Sequence, residues 1–458
     1  MVDKPEFLAK CTALWTDGAS AVTQSFVALY YSLMSLGALV GIREDEPVDG
    51  IENLEWSRIF FEEARSRTSV SMVTDIEMVQ CYFFLAKICQ NELNNHSAYM
   101  YGGLAVRTAL AMGINREPQP NQKLDTALTK AASRTWWSLY SLETEMSFAM
   151  GRPDSLGADV YHNRRYPAIR DDPAYSGSPP ELLEPPHCAM IKAMVDFARI
   201  TKSVILGIYL AESTLQQALA LARQIEQDLE RWLEGLPAQI RPSTSEDEPR
   251  PLKRIKDPQY AKKQRLVLKI RYHNVRILLF GYFLTKLSTL DRATAAGFQE
   301  ELTKCLDSAK QTIETIYEAC QRHDFFRTWF YNTMYILFAT SIVLIYIPRE
   351  SGKHELEYLY KLVEMAIEIL EIMDESVVAM EAAKMIQGAL TRTRCMIPLA
   401  PRDTAPGDTA PADTAAMEFQ KTASWNTYAG LFDLTEGDLS GDLPFPLGDP
   451  SAMYPLGE

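Results

Sequence analysis

The stretch Arg134-Thr-Trp136-Trp137-Ser-Leu-Tyr140-Ser-Leu142-Glu143, followed by Gly151-Arg152-Pro153, decides the fold that this sequence predicts. Its three aromatic rings recur at helical spacing, so they are expected to bury one side of a helix against a neighbour. The Gly-Arg-Pro sequence then stops helical propagation and turns the chain. The segment therefore predicts a helix with an aromatic anchor and a sharp C-terminal end.

The residues on either side of this stretch continue the pattern. Upstream, the small residues Gly102, Ala105 and Ala109 predict a helix packed closely against a neighbour, and Gly113 predicts where it ends. A polar gap follows, and the tryptophan helix is expected to begin near Leu124. Downstream of the Gly-Arg-Pro turn stand Asp159 and Pro167.

Together these residues resemble the middle homology region of fungal zinc-cluster transcription factors. The resemblance is specific over residues 75–170 and looser to about residue 395, and it implies a nuclear regulator of metabolic or secondary-metabolite genes.

The family usually has Asp and Arg where Glu143 and Thr144 stand here. This departure weakens the expectation of the family's ion pair, and a network among Arg134, Glu143 and Arg152 is left open. Since aromatic stripes at helical spacing are most often core, we interpret the motif as scaffold, with a ligand-binding role as the alternative. The scaffold residues are Arg134, Trp136, Trp137, Tyr140, Glu143, Gly151, Arg152 and Pro153.

Helical periodicity dominates the chain, and alternating β patterns are nearly absent. The fold class predicted is therefore all-α, a multi-helix regulatory domain with a disordered C-terminal tail. Three parts are predicted: a helical region at 1–395, a low-complexity Asp-Thr-Ala-Pro linker at 396–424, and an acidic, aromatic tail at 425–458. Further helices are expected at Glu77–Asn91, 189–234, Lys262–Leu284, 297–321, 325–347 and 354–393, with an irregular connection at Asp171–Pro186.

Composition excludes several function classes. The net charge of −14 argues against direct nucleic-acid binding, which requires clustered cations. The seven cysteines are dispersed, so no cofactor is predicted and the family's zinc cluster is absent from this sequence. DNA binding would then come from a partner, or from a zinc cluster encoded upstream of Met1.

Two apolar stretches, Phe26–Ile42 and Trp329–Ile347, are interpreted as core helices rather than membrane spans.

The last segment, Trp425–Glu458, interleaves acidic and apolar residues and has no Lys or Arg. Repulsion among its carboxylates keeps large apolar groups available to a partner's groove, as in disordered activation domains. The alternative is a tail with no partner. The candidate activation residues are Trp425, Phe432, Leu434, Leu439 and Phe445.

One basic concentration surrounds Lys253, Arg254, Lys262 and Lys263 and extends to Arg265. It predicts a nuclear-import signal, with a solvated helix face as the alternative. A helix at 262–284 places His273 on its apolar side, where a hydrogen-bonded core histidine is expected.

No catalytic residue, phosphate loop or metal cluster is predicted, so we expect that the protein is not an enzyme. The leading hypothesis is a transcriptional regulator that acts with a DNA-bound transcription factor or a coactivator, with a small effector in an apolar cavity. Homo- or hetero-dimerisation is left open. The alternative is an all-α small-molecule-binding protein or enzyme derived from the same domain, and a membrane-associated helical protein is a third hypothesis.

Overall fold

The computed structural model describes residues 1–41, 47–68, 75–119, 125–170, 172–243, 257–286, 297–323, 326–349 and 352–396. Over these ranges the chain is almost entirely helical, which confirms the predicted fold class. The helices are α1 (Lys4–Asp17), α2 (Gln24–Val40), α3 (Asn53–Ser66), α4 (Ile76–Asn91), α5 (Asn95–Ala111), α6 (Thr126–Ala149), α7 (Ala189–Val204), α8 (Leu215–Gly235), α9 (Gln259–Lys286), α10 (Gln299–Arg322), α11 (Asn332–Tyr346), α12 (Lys353–Ile372) and α13 (Val377–Met396).

Side-chain caps fix where many of these helices begin. A carboxylate, amide or hydroxyl oxygen of the residue before the helix accepts a hydrogen bond from a first-turn amide. Thr214 makes the most complete cap, because its hydroxyl and the side chain of Gln217 bond reciprocally to each other's backbone. The other capping residues are Asp3, Thr23, Asp75, Asn94 and Asp125.

The helices pack around one continuous apolar core. In the N-terminal half, α2 packs against α3 and α4, α4 against α5, and α6 against α5 and α7; in the C-terminal half, α10 packs against α9, α11 and α12. The two apolar stretches form α2 and α11, as predicted, and Phe26, Leu29, Ile336 and Val343 are fully buried. None of the helices within the described ranges combines the length and hydropathy needed to cross a bilayer.

Three consecutive helices end in the same backbone motif. After α5, the amides of Gly113 and Ile114 donate to the carbonyls of Leu110 and Ala109, and Gly113 has a φ of +70°. Gly151 closes α6 in the same way at a φ of +60°. Both glycines therefore end their helices as predicted.

Leu93 closes α4 with the same hydrogen-bond pattern, although it carries a side chain. Its amide donates to the carbonyl of Gln90, Asn94 donates to that of Cys89, and the φ of Leu93 is +63°. This left-handed conformation costs a side-chain-bearing residue about 1 kcal/mol. The side chain is 2% exposed, so its burial offsets the strain.

Several predicted helix boundaries were wrong. The predicted helix 189–234 is divided into α7 and α8 by a π-turn at Ile205–Tyr209 and by the cap at Thr214. The predicted helix 354–393 is divided between Ile372 and Val377, where the hydroxyl of Ser376 accepts a hydrogen bond from the amide of Ala379. Local capping overrode a continuous apolar pattern in both cases. Helix α6 begins at Thr126, two residues from the expected start at Leu124.

The connection between α6 and α7 is mostly irregular, as predicted, but it contains a short parallel pairing. Strand β1 (Ala168–Ile169) pairs with β2 (Leu183–Glu184), and the amide of Arg170 extends the pairing to the carbonyl of Glu184 at 2.9 Å. The pairing fixes Glu184 beside α6 (below).

Candidate functional site

Helix α6 presents two sides with different chemistry. Successive residues are rotated by about 100° around a helix axis, so Trp136, Tyr140 and Glu143 share one side. Arg134 and Glu145 lie on the opposite side by the same geometry. We call the first the aromatic side of α6 and the second its charged side.

Trp137 is the most extensively bonded residue of the motif. It is buried at 2% exposure, and its indole N–H donates to the carbonyl of Arg165 at 3.3 Å. Its ring stacks on Tyr166 with a centroid distance of 4.5 Å, and the guanidinium of Arg199 lies 5.9 Å from its centroid. The loop after α6 is thereby fixed against the helix.

Trp136 is held by packing rather than by hydrogen bonding. Its ring lies 4.8 Å from the imidazole of His162, and its indole nitrogen has no hydrogen-bond partner. Tyr140 completes the aromatic side by donating to the carboxylate of Asp159 at 2.9 Å, to which Arg199 also donates at 3.2 Å. Trp136, Trp137 and Tyr140 are each at most 2% exposed, so all three rings lie in the core.

Glu143 is a fully buried carboxyl group on the aromatic side. Its Oε1 accepts the backbone N–H of Ser155 at 2.8 Å, whereas Oε2 has no partner. A Cβ placed on Gly102 would lie 3.4 Å from that oxygen, so the small residue lets α5 approach the carboxyl group closely. Burial raises the pKa of Glu143 above its ordinary value, although the Ser155 hydrogen bonds oppose the shift.

The Gly-Arg-Pro corner is held by α5. The hydroxyl of Tyr99 donates to the carbonyl of Pro153 at 3.1 Å, and the guanidinium of Arg152 lies 5.5 Å from the centre of the Tyr99 ring. Beyond the corner, Asp154 forms a 2.8 Å ion pair with Lys202 on α7. The corner therefore joins α5, α6 and α7.

Arg134, Glu143 and Arg152 do not form the ion network that the sequence left open. Arg134 lies on the other side of the helix, where it pairs with the buried carboxylate of Glu184 at 2.5 Å. Its Nε also donates to the carbonyl of Met1 at 3.0 Å. The partner stands 50 residues away in sequence, beyond the reach of a local pattern.

A cluster of charged and hydroxyl groups lies on the charged side of α6, and the sequence did not predict it. Glu145 accepts hydrogen bonds from Arg271 of α9 at 3.0 and 3.1 Å and from the amide of Gln90 at 3.1 Å. The hydroxyl of Tyr331 also bonds to this carboxylate. We call this cluster the interior polar site; it consists of Lys87, Gln90, Glu145, Arg271, Tyr331 and Tyr335.

The charges of the interior polar site are unevenly compensated. Burial opposes ionisation of Glu145, but Arg271 and Lys87 outweigh it and lower its pKa to about 2. Lys87 donates to the neutral carbonyl oxygen of Gln90 at 2.7 Å. Burial lowers the pKa of Lys87 below its ordinary value, Arg271 lowers it further, and Glu145 only partly opposes these effects. Lys87 is the under-neutralised charge of the cluster.

The remaining predicted residues have mixed outcomes. His273 is a core residue as predicted, but both of its ring nitrogens lack a hydrogen-bond partner, so the expected satisfied state is wrong. Burial lowers the pKa of His273 to about 3, which keeps the ring neutral.

The predicted import signal is only partly described. Lys262 and Lys263 lie in the first turns of α9, and Lys253 and Arg254 lie outside the described residues. Arg265 is not available for a receptor, because it is 4% exposed and pairs with Asp257 at 2.6 Å. The candidate activation residues Trp425, Phe432, Leu434, Leu439 and Phe445 also lie outside the described residues.

The seven cysteines are free thiols, and burial raises the pKa of Cys81 to about 12. Within the described ranges, no three His, Cys, Asp or Glu side chains converge in a geometry that holds a metal ion.

Comparison with known proteins finds one matching family model and several similar sequences. The model of the fungal specific transcription factor domain matches residues 1–234. Transcription factor FBD3 of Gibberella moniliformis is 26% identical over 64% of this chain and 41% of its own length. Activator of stress genes 1 of Saccharomyces cerevisiae is 22% identical over 62% of this chain and 30% of its own. The terreic acid cluster-specific transcription factor atF of Aspergillus terreus is 21% identical over 75% of this chain and 57% of its own.

A solved structure shares the fold. A chain in the structure of the K. lactis CBF3 core matches with a TM-score of 0.57 and 10% identity, over 95% of this chain and 84% of that chain. At this identity the match concerns the fold alone. The chain spans about two fifths of the length of the FBD3 relative. Two of these relatives are named as transcription factors and one as an activator of stress genes.

Proposed function

Because the chain belongs to the family of fungal specific transcription factor domains, we propose that it is a nuclear transcriptional regulator. The match of the family model to residues 1–234 carries this proposal. In this proposal, the helical region 1–395 is a regulatory body that exposes or masks the acidic tail 425–458. The linker 396–424 sets the distance over which the tail can contact a partner. The partner of the tail is a coactivator with an apolar groove.

The regulator reaches DNA through a DNA-bound transcription factor, or through a zinc cluster encoded upstream. The charge of −14 supports the first route, because this chain is poorly suited to neutralising phosphates. The proposed targets are metabolic or secondary-metabolite genes, which the resemblance to a terreic acid cluster-specific factor supports. Dimerisation and a small effector belong to the same proposal.

Chromatin immunoprecipitation of the chain, tagged at its own locus, tests this function. Enrichment at the promoters of one gene cluster, together with a co-purified DNA-binding factor, is the expected result. Deleting that factor should abolish the enrichment. Mapping the start of the transcript identifies the second route, since an in-frame cysteine cluster upstream of Met1 would supply DNA binding in the same polypeptide. An absence of promoter enrichment would contradict the proposal.

The tail is tested separately by fusing Trp425–Glu458 to a heterologous DNA-binding domain. We expect reporter activation, and we expect at least a tenfold loss when Trp425, Phe432 and Phe445 are replaced by alanine, because a few large aromatic side chains usually carry most of the binding energy in an apolar groove. Replacing Thr435 and Ser440 by alanine is the matched control and should retain activity. An inactive fusion, or full activity without the three rings, would refute the role of the tail.

The import signal is tested with a fluorescent fusion of the full chain. Replacing Lys253 and Arg254 by alanine should reduce nuclear accumulation, and adding alanine at Lys262 and Lys263 should reduce it further. The exposed Lys384 provides a control substitution. Unchanged nuclear accumulation of the fourfold variant would exclude this signal.

A further inference from the structure

We infer that the interior polar site binds a small organic monoanion through its carboxylate. The binding step does not depend on the proposed function and is tested on the purified chain. A regulatory consequence of binding does rest on that function.

The first step of the argument is the charge of the site. Two basic side chains, the half-buried Lys87 and Arg271, stand beside one carboxylate, Glu145, so the cluster has one more basic group than acidic groups. Buried charges are normally paired, because an unpaired ion loses its hydration without compensation. Arg271 and Glu145 pair with each other, whereas Lys87 has the neutral amide oxygen of Gln90 as its hydrogen-bond acceptor. One negative charge is required to complete the set.

The second step is the supply of uncommitted donors. An ammonium group carries three N–H bonds, and Lys87 uses one of them on Gln90. The Nε of Arg271 is buried without a partner, although its Nη2 bonds to Glu145. A carboxylate has two oxygens able to accept from both groups. No second acidic side chain of the described residues approaches these donors within ion-pairing distance.

The third step is access and shape. The site lies between α4, α6, α9 and the start of α11, yet the side chains of Glu145 and Arg271 keep 14% and 15% of their surface accessible. The rings of Tyr331 and Tyr335 lie edge to face, 5.3 Å apart, and supply an apolar wall next to the charges. This combination fits a small molecule with one carboxylate and an apolar body. A dianion would instead leave Glu145 facing an excess of negative charge.

The interior polar site thus differs from the apolar effector cavity that the sequence predicted. Its residues are spread over more than 200 positions of the chain, and Arg271, Tyr331 and Tyr335 lie outside residues 75–170, which carry the specific resemblance. A ligand here would contact α4, α6, α9 and α11 together. It is therefore placed to favour one arrangement of the two halves of the helical body.

Isothermal calorimetry and thermal unfolding of the full chain test this inference, with acetate, pyruvate and benzoate as probes at constant ionic strength. The neutral acetamide and benzamide are the matched controls. We expect at least one carboxylate to bind with a Kd of about 1 mM or tighter and to raise Tm, because a ligand that binds only the native state stabilises it. The amides should not bind, and succinate should bind more weakly than the best monoanion.

The variant Lys87→Met removes the under-neutralised charge and keeps most of the side-chain volume. We expect at least a tenfold increase in Kd, with an unchanged or higher Tm in the absence of anion, because the half-buried ammonium has no carboxylate partner in the free protein. Lys384→Met, at a lysine 65% exposed on α13, should leave Kd unchanged.

Four outcomes would overturn the inference: no binding of any carboxylate up to about 20 mM, equal binding of the amides, equal affinity in Lys87→Met, or tighter binding of inorganic phosphate than of every carboxylate. A marked loss of stability in Lys87→Met without anion would also overturn it, since Lys87 would then be a structural cation. The proposed function is tested by promoter occupancy, so failure of one experiment leaves the other intact.

Discussion

The two sides of α6 show how differently one helix can be held in place. On the aromatic side, Trp136, Trp137 and Tyr140 contact the loop that follows the helix, and hydrogen bonds to the Arg165 carbonyl and the Asp159 carboxylate complete the packing. On the charged side, Glu145 is paired with Arg271, a residue 126 positions further along the chain. The first side determines local structure, and the second joins the N-terminal helices to α9 and α11.

Glu143 and Glu145 make the contrast sharpest, since they stand two residues apart on the same helix. Burial raises the pKa of Glu143, because its carboxyl group has no cation beside it. Arg271 and Lys87 lower the pKa of Glu145 to about 2, against the effect of burial. The charge state of a buried glutamate is therefore set by the groups packed against it and not by the residue type alone.

The largest effect is expected from breaking the pair on the charged side. Arg271→Met leaves Glu145 buried without its cation, and we expect the free energy of unfolding to fall by about 3–5 kcal/mol. Urea denaturation measures the change. The double variant Arg271→Met, Glu145→Gln should recover much of the loss, because no unpaired carboxylate remains. Strictly additive costs in the double variant would show that the pair has no coupling.

The next effect compares the two glutamates by a single chemical change. At pH 7, Glu145→Gln should destabilise the protein by about 3 kcal/mol, whereas Glu143→Gln should stabilise it by about 1 kcal/mol, because an amide replaces an acidic group that is buried without a cation. Urea denaturation at several pH values measures both. Stability contributed by Glu145 is present above its unfolded pKa and is lost as pH falls from there through about 2. Stability contributed by protonated Glu143 is present below its unfolded pKa and is lost as pH rises through its raised folded pKa.

The two substitutions serve as controls for each other, because both replace a carboxylate by an amide of the same shape. Changes of the same sign at pH 7 would contradict the contrast between the two sides of α6. A pH dependence of stability that is identical in the two variants would contradict it as well.

The smallest effect distinguishes the two tryptophans. Trp137→Phe loses the hydrogen bond to the Arg165 carbonyl, whereas the indole nitrogen of Trp136 has no such bond to lose. Because the loss of ring volume is the same, Trp137→Phe should cost about 1 kcal/mol more than Trp136→Phe, measured by thermal unfolding. The Arg165 carbonyl keeps the hydroxyl of Ser133 as a donor at 2.7 Å, which limits the difference. Equal costs would mean that packing alone holds both rings.

Sequence reasoning succeeded where the cause of structure is local. The aromatic spacing predicted the buried side of α6, and Gly113 and Gly151 predicted two helix ends, because a left-handed φ favours glycine. The same rule missed Leu93, which adopts that conformation with a buried side chain. Sequence reasoning also missed the partner of Arg134, because Glu184 is positioned by the short β1–β2 pairing and not by helical spacing.

The interior polar site could not have been predicted from the sequence. Lys87, Glu145 and Arg271 resemble ordinary charged residues of amphipathic helices, and only the packing of α4, α6 and α9 brings them together. Charged residues at such positions are usually solvated, so no local signal marks them. The predicted activation tail and its linker remain predictions.

Helix α6 is a single uninterrupted element, capped by Asp125 at one end and by Gly151 at the other. Its 24 residues form a stiff shaft, and Trp136 stands nine positions before Glu145 on the opposite side. Inserting one residue between them would turn the tip of the shaft by about 100° relative to its anchored base. Deletions and insertions in this segment should therefore be far less tolerated than substitutions. A rotation of the helix at the indoles would also move the carboxylate of Glu145 relative to Arg271.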